Sequence, residues 1–343
     1  MITSAKPNIL LIYTGGTIGM VKDTETGALK AFNFSKILKN IPELKLLDCT
    51  IATISFEVPI DSSNMNVDGW IKMAEIIASN YNDYDGFVVL HGSDTMSYSA
   101  SALSFMLENL GKPVVFTGSQ LPIGDLRTDA KENLITAIQV AALQENGMPV
   151  ITEVCLYFEY KLYRGNRTTK ISAEHFNAFV SPNFPFLVES GVHLKVREEY
   201  LLKQPVQPLK VHTHFETNVA IVKIFPGISE SVISAIFSIP TLKGVVIETY
   251  GSGNAPTQDW FIAQLEVAIQ RGIQIVNVTQ CSGGSVSMGT YEASSQLKQI
   301  GIISGKDITT EAAITKLMYL LGQNIGNSVF KTIFETPIRG EME

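Results

Sequence analysis

The residues best suited to chemistry sit in short polar runs that follow apolar stretches. Thr14-Gly15-Gly16-Thr17-Ile18-Gly19 sets hydroxyls beside paired glycines. Glycines let backbone N–H groups approach a ligand closely and point at an anion or oxyanion. A hydroxyl next to such donors has the ingredients of acyl transfer. A dinucleotide loop is a competing reading, but its fingerprint is G-x-G-x-x-G; this loop reads G-G-x-x-G, and no Walker lysine follows. A plain tight turn with a capping threonine is another. His91-Gly92-Ser93-Asp94-Thr95-Met96 lines up a hydroxyl, a carboxylate and a hydroxyl. Ser93 or Asp94 could simply cap the following helix. Alternatively the carboxylate holds an ammonium while Ser93 positions a water or relays a proton. His91, two residues from Ser93, invites a Ser-His-Asp triad, but nothing orients it in the chain order of known triads, and a buried structural histidine is the simpler reading.

Asp61-Ser62-Ser63-Asn64-Met65 could grip a carboxylate or an ammonium, and is equally an ordinary helix start. Tyr163-Arg164-Gly165-Asn166-Arg167-Thr168-Thr169-Lys170, with Tyr157, Phe158 and Tyr160 just before it, is the strongest basic cluster. It could stack on single-stranded nucleic acid, form a solvated turn, or bury a lysine until it can act as a base. His175, His193, His212 and His214 form no ligand constellation, and His212-x-His214 is too short a motif for a metal claim. No metal and no organic cofactor are expected.

Positioning these runs requires strands that end where they begin. Ile9–Ile12, Gly86–Leu90, Val114–Phe116 and Val150–Leu156 are apolar without alternation, as strands buried on both faces of a parallel sheet are. Helical patterns cover Val67–Asn80, Ser97–Leu110 and Asp129–Glu145. Strand and helix alternating predicts an α/β fold. Phe184–His214 lacks a helical period and reads as irregular or antiparallel structure running into a linker; the strand–helix rhythm returns at Asn218–Phe225, Gly244–Thr249 and Gly272–Val278. The expected division is a larger domain over 1–200, a linker over 201–214 and a smaller α/β domain over 215–343.

Bulk properties fit. The 343 residues are too many for one ordinary core, and 45% hydrophobic with 17% charged residues argues against disorder. A net charge of -7 argues against broad nucleic-acid or anionic-membrane binding. Cys49, Cys155 and Cys281 are an odd, sparse set with neither disulfide nor CxxC spacing, which suits a reducing compartment. Neither a signal-peptide core nor an apolar run of roughly 20 residues is present. The expected location is the cytoplasm.

Together these segments resemble the bacterial-type asparaginase family and its cytoplasmic type I branch. Tyr13–Met20 and His91–Met96 carry the resemblance most specifically, supported by Asp61–Ser63, Arg164–Lys170, Tyr250–Pro256 and Asn277–Cys281. It implies a flavodoxin-like, parallel-sheet N-terminal domain and hydrolysis of L-asparagine to L-aspartate and ammonia, with a homodimer or homotetramer as the assembly. By position, Thr14 is the implied nucleophile, with backbone near Gly15 and Ser93 as its oxyanion hole. Ser93, Asp94 and Lys170 form a second hydroxyl–carboxylate–lysine group. Asp61, Ser62, Ser63 and Asp94 hold the substrate's charged frame.

This chain departs from the family at three places. Ser93 stands where threonine is usual. No tyrosine occurs in Val21–Phe32, a stretch expected to form a flexible flap, and Ala28 lies about where one would fall. At a second, activating asparagine site, Thr169, Asn254 and Cys281 match, whereas Glu248 replaces an expected arginine and should repel the activator's carboxylate. Asparagine activation is therefore expected to be weak or absent. Competing functions are a glutaminase-leaning amidase, separated by one methylene, a tRNA-linked amidotransferase subunit, a nucleotide-dependent oxidoreductase and a non-catalytic asparagine sensor.

Overall fold

The computed structural model describes residues 6–22, 29–31, 41–289 and 292–343, and the chain divides into two compact units between Thr213 and His214. In the first unit the apolar runs form the strands β1 (Asn8–Tyr13), β2 (Thr50–Ser55), β3 (Gly86–Leu90), β4 (Val114–Thr117) and β5 (Val154–Phe158). They pair in parallel in the order β2-β1-β3-β4-β5. Ile9 to Ile12 and Phe87 to Leu90 are fully buried, as strands covered on both faces must be. This is a doubly wound order whose direction reverses between β1 and β3. In such sheets ligands bind outside the carboxyl ends of the strands at that switch. Both hydroxyl-bearing loops leave the sheet there.

Helices α1 (Val67–Ser79), α2 (Met96–Met106) and α3 (Ala130–Ala141) carry the chain between strands. On α1, Trp70, Met73, Ala74 and Ile77 recur at helical spacing and are buried. The Asn66 side chain caps it, accepting from Gly69 N at 3.1 Å. Helix α2 is buried almost all round; Ser97, Ser99 and Ser104 keep their hydroxyls bonded, while the Ser101 hydroxyl is buried without a hydrogen-bond partner among the described residues. Asn166 Nδ2 donates to Ser104 Oγ at 3.0 Å, and Thr168 Oγ1 donates to Ser97 Oγ at 3.0 Å. It stops at Met106, short of the expected Leu110, because Leu107–Glu108 pairs antiparallel with Lys210–Val211. That pairing also ties much of the segment read as a linker to the first unit.

Beyond β5 the sheet turns antiparallel. A reversal through Glu159 and Tyr160, both at positive φ (45° and 70°), leads into β6 (Lys161–Arg164). β7 (Val188–Ser190) and β8 (Leu194–Val196) continue it. The strand expected over Val150–Leu156 lies at Val154–Phe158. The basic cluster is not a solvated turn, and its two arginines are not free to stack on a ligand. Arg164 and Arg167 are buried, and Arg164 Nε donates to Glu153 Oε2 at 2.5 Å while both guanidinium groups stack on Phe184. Glu153 Oε1 also accepts from Leu202 N at 2.9 Å, so a desolvated ion pair organises the 200–202 segment.

In the second unit β9 (Val219–Lys223), β10 (Gly244–Thr249), β11 (Gln274–Thr279) and β12 (Ile303–Ser304) form a parallel sheet in sequence order. It is joined by α4 (Glu230–Phe237), α5 (Asp259–Gln270), α6 (Glu292–Gln299), α7 (Thr310–Gly322) and α8 (Asn327–Phe334). A core around Ile224, Val245, Phe261, Leu265 and Ile275 holds it together. On α7 the fully buried Lys316 ammonium donates to the Phe334 and Thr336 carbonyls at 2.6 and 2.8 Å, and to the equally buried Glu341 carboxylate. No helix among the described residues is long and apolar enough to cross a membrane.

Candidate active site

The loops after β1, β2 and β3 meet backbone to backbone, and the paired glycines are what permit it. Gly15 has φ 136°, and a Cβ there would lie 2.1 Å from Ile60 O. Gly16 has φ 86°, and its Cβ would lie 2.5 Å from Gly92 N. Both the left-handed region and the missing side chain are therefore required. Ile60 N donates to Thr14 O at 2.8 Å, and Thr14 N to Leu90 O at 3.0 Å, which stitches the three strand ends together. Thr14 is buried, and its hydroxyl also donates to Leu90 O, at 2.9 Å.

Ser93, Asp94 and Lys170 come together although 76 residues separate Asp94 from the lysine. Lys170 leaves a short antiparallel hairpin, Thr169–Lys170 against Phe179–Val180. Its ammonium donates to Ser93 Oγ at 2.9 Å and to Asp94 Oδ1 at 2.6 Å. The Lys170 side chain is 17% exposed and that of Asp94 66%, so this ion pair opens toward solvent on its acidic side. Thr95 Oγ1 donates to Ser62 O at 2.8 Å, tying the 61–63 loop to the same corner.

Asp61 acts locally. Its carboxylate caps the 3-10 turn Ser62–Asn64, accepting from Ser63 N at 2.9 Å and from Ser63 Oγ at 2.8 Å, and these donors hold it below the usual carboxylate range. Asp61 and Ser63 remain exposed, while Ser62 is buried. Among the described residues no group of three or more His, Cys, Asp or Glu side chains could hold a metal ion.

His91 takes no part in a triad with Ser93. It is buried, with Nδ1 2.7 Å from Gly92 O and Nε2 2.9 Å from Ser99 Oγ, which in turn accepts from Trp70 Nε1 at 2.9 Å. A carbonyl can only accept, so Nδ1 carries the proton and Nε2 accepts from Ser99. Burial pushes the imidazole down from 6.5 to about 4. An unfolded chain therefore binds a proton that the native chain refuses between those values. Stability is expected to be fully present above pH 6.5 and to fall by roughly 3 kcal/mol as pH drops through about 4. Urea unfolding of the wild type and His91→Gln across that window checks this; equal pH slopes in the two would refute it.

The residues grouped as a second asparagine site fall in both units. In the second, Glu248 sits near the carboxyl end of β10, where Oε1 accepts from Thr310 Oγ1 at 2.8 Å and Oε2 lies 3.5 Å from Lys223 Nζ. Its charge is thus partly countered by Lys223. Cys281 is exposed, and Asn254 Oδ1 is buried without a hydrogen-bond donor among the described residues. Most of the stretch read as a flap, including Ala28, lies outside the described residues; its flanks Met20–Lys22 and Leu29–Ala31 pair antiparallel. Gln120, which the sequence does not single out, belongs to this corner: its Oε1 accepts from Ser93 Oγ at 3.2 Å.

A doubly wound sheet with a buried threonine and a serine–lysine–aspartate group at its switch point is the frame of an amidohydrolase-type site, and comparison with known proteins agrees. The family described as asparaginase, N-terminal, matches residues 8–201, and the glutaminase/asparaginase C-terminal domain family matches residues 218–334. The chain is 43% identical to L-asparaginase 1 of Escherichia coli K12 over 98% of both chains. The crystal structure of L-asparaginase I from Vibrio cholerae superposes with a TM-score of 0.90 at 42% identity, covering 99% of this chain and 100% of that one. The L-asparaginase structure from Thermococcus kodakarensis gives 0.89 at 31% identity, covering 98% and 99%. The chain belongs to the asparaginase family.

Proposed function

We propose that this protein hydrolyses L-asparagine to L-aspartate and ammonia through a Thr14 acyl-enzyme. The observation that supports it best is the Lys170 ammonium lying within 2.9 Å of Ser93 Oγ and 2.6 Å of Asp94 Oδ1, beside the threonine loop at the switch point of the sheet. Family membership and the likeness to L-asparaginases from three organisms support the substrate.

In this reading Thr14 Oγ1 bonds to the side-chain amide carbon, and backbone groups near Gly15 and Ser93 stabilise the oxyanion. The C–N bond breaks, ammonia leaves with the threonine proton, and an ester remains. Water then adds to the ester, aspartate departs and the proton returns to Thr14. Ser93, Lys170 and Asp94 carry the proton transfers. Asp94 and the 61–63 loop hold the α-ammonium and α-carboxylate. Three free cysteines with no disulfide framework support a reducing, cytoplasmic setting. Family resemblance supports a homodimer or homotetramer.

The test is ammonia release from L-asparagine and L-glutamine over a wide concentration range, without added metal. Hyperbolic, rapid release from asparagine with much slower release from glutamine is expected. A sigmoidal asparagine curve would overturn the expectation that Glu248 weakens activation. Absence of release from a folded sample would overturn the hydrolase reading and leave the sensor.

A further inference from the structure

We propose that Gln120 is a positioning residue that fixes both the rotamer and the proton direction of the Ser93 hydroxyl, an inference that rests on the hydrolase reading above. Ser93 Oγ accepts from Lys170 Nζ at 2.9 Å and lies 3.2 Å from Gln120 Oε1. A carbonyl oxygen cannot donate, so the Ser93 proton lies on the line to Gln120. One lone pair is taken by Lys170 and the proton by Gln120. The hydroxyl then offers any further group only an acceptor, the role needed to orient a water. Left to rotate, it could instead donate into the site and lose that role.

The amide that imposes this is held at both ends. Gln120 Nε2 donates to the His175 carbonyl at 3.0 Å, and an amide turned end for end would set two carbonyl oxygens against each other. The backbone of Gln120 is pinned as well. Its N donates to Asp129 Oδ2 at 2.9 Å and Oδ1 at 3.1 Å, and Leu121 N adds a bond to Oδ1 at 3.2 Å. Asp129 is buried and accepts from Asn133 Nδ2 at 3.3 Å, so it moves little. His175 lies in the loop of the hairpin that carries Lys170, between Lys170 and Phe179. One side chain therefore joins the loop bearing Ser93 to the hairpin bearing Lys170. A serine needs such a restraint more than a threonine does, because threonine's branched Cβ already limits χ1.

The experiment is a double-variant cycle measuring kcat and KM for ammonia release from L-asparagine, with thermal melting of each protein. Gln120→Met is expected to lower kcat about 30-fold with KM within about threefold, the scale that misplacement of a reacting group produces. In a Ser93→Thr background, whatever that change does alone, the same Gln120→Met substitution should cost less than about fivefold, since the methyl group restores the rotamer. A Gln120→Met protein as active as wild type, or an equal loss on both backgrounds, would overturn the positioning role while leaving the hydrolase reading intact. General loosening of the 171–178 loop predicts that equal loss, because a methyl on residue 93 cannot repair it. A wild type without activity would overturn both.

Discussion

Thr14→Ala is expected to fold, to bind asparagine and to turn it over at least about 10⁴-fold more slowly than wild type, as removal of other hydrolytic nucleophiles does. The expectation that it folds is local. The Thr14 hydroxyl donates to Leu90 O, but so does the Thr14 backbone N–H, so the carbonyl keeps a partner when the hydroxyl is removed. The stability change should stay near the roughly 1 kcal/mol of one replaceable hydrogen bond. The loss of turnover has no such substitute, because the ester requires that oxygen. Calorimetric titration with asparagine and mass spectrometry after rapid quenching check both halves. The wild type should show a covalent adduct on the peptide containing Thr14, and the variant none. Turnover within about tenfold of wild type would refute the nucleophile assignment and return Ser93 to consideration.

The largest stability effect is expected in the second unit. Lys316→Met should destabilise the second unit by about 3–5 kcal/mol, the usual result of removing one partner of a buried ion pair. The lysine and Glu341 are both fully buried, and burial pushes the ammonium below its ordinary range even though the carboxylate supports its charge. Without Lys316 the carboxylate keeps the Ile338 and Arg339 amides as donors, and the Phe334 and Thr336 carbonyls lose one. That is a large part of the 5–15 kcal/mol that holds a typical domain together. Lys316→Met/Glu341→Gln should recover part of the loss by removing the stranded charge while keeping an acceptor. Urea unfolding measures both; a single variant within about 1 kcal/mol of wild type would show that the pair is not desolvated as described.

The parallel part of the first sheet was legible because strands buried on both faces carry their burial in composition. Ile9–Ile12 and Gly86–Leu90 need no partner to be read as strands. The order β2-β1-β3 was not legible, since pairing is a relation between segments more than 30 residues apart. β6 hid inside a basic cluster, because Arg164 looks like a surface residue until Glu153 and Phe184 are placed around it. Thr14, Ser93 and Asp94 stand out as hydroxyls and a charge at strand ends, whereas the roles of Thr14 as nucleophile and of Lys170 rest on the family resemblance. Gln120 carries no such mark. An uncharged amide reads as a loop residue until its two ends are seen to be occupied. The Asp61 carboxylate carries two readings that the sequence does not separate: it caps its own turn, and it stays exposed where a ligand could reach it.

The meeting of the three loops through main chain at Gly15 and Gly16 has a bearing on how this scaffold can change. Where walls are joined by side chains, altering what faces the substrate also loosens the walls. Here Ile60, Gly16 and Gly92 hold position through backbone atoms. The exposed side chains of the 61–63 loop are therefore open to replacement without breaking those backbone contacts. Selection for a longer or differently charged amide can act on them one at a time, with the two glycines as the positions that must be left alone.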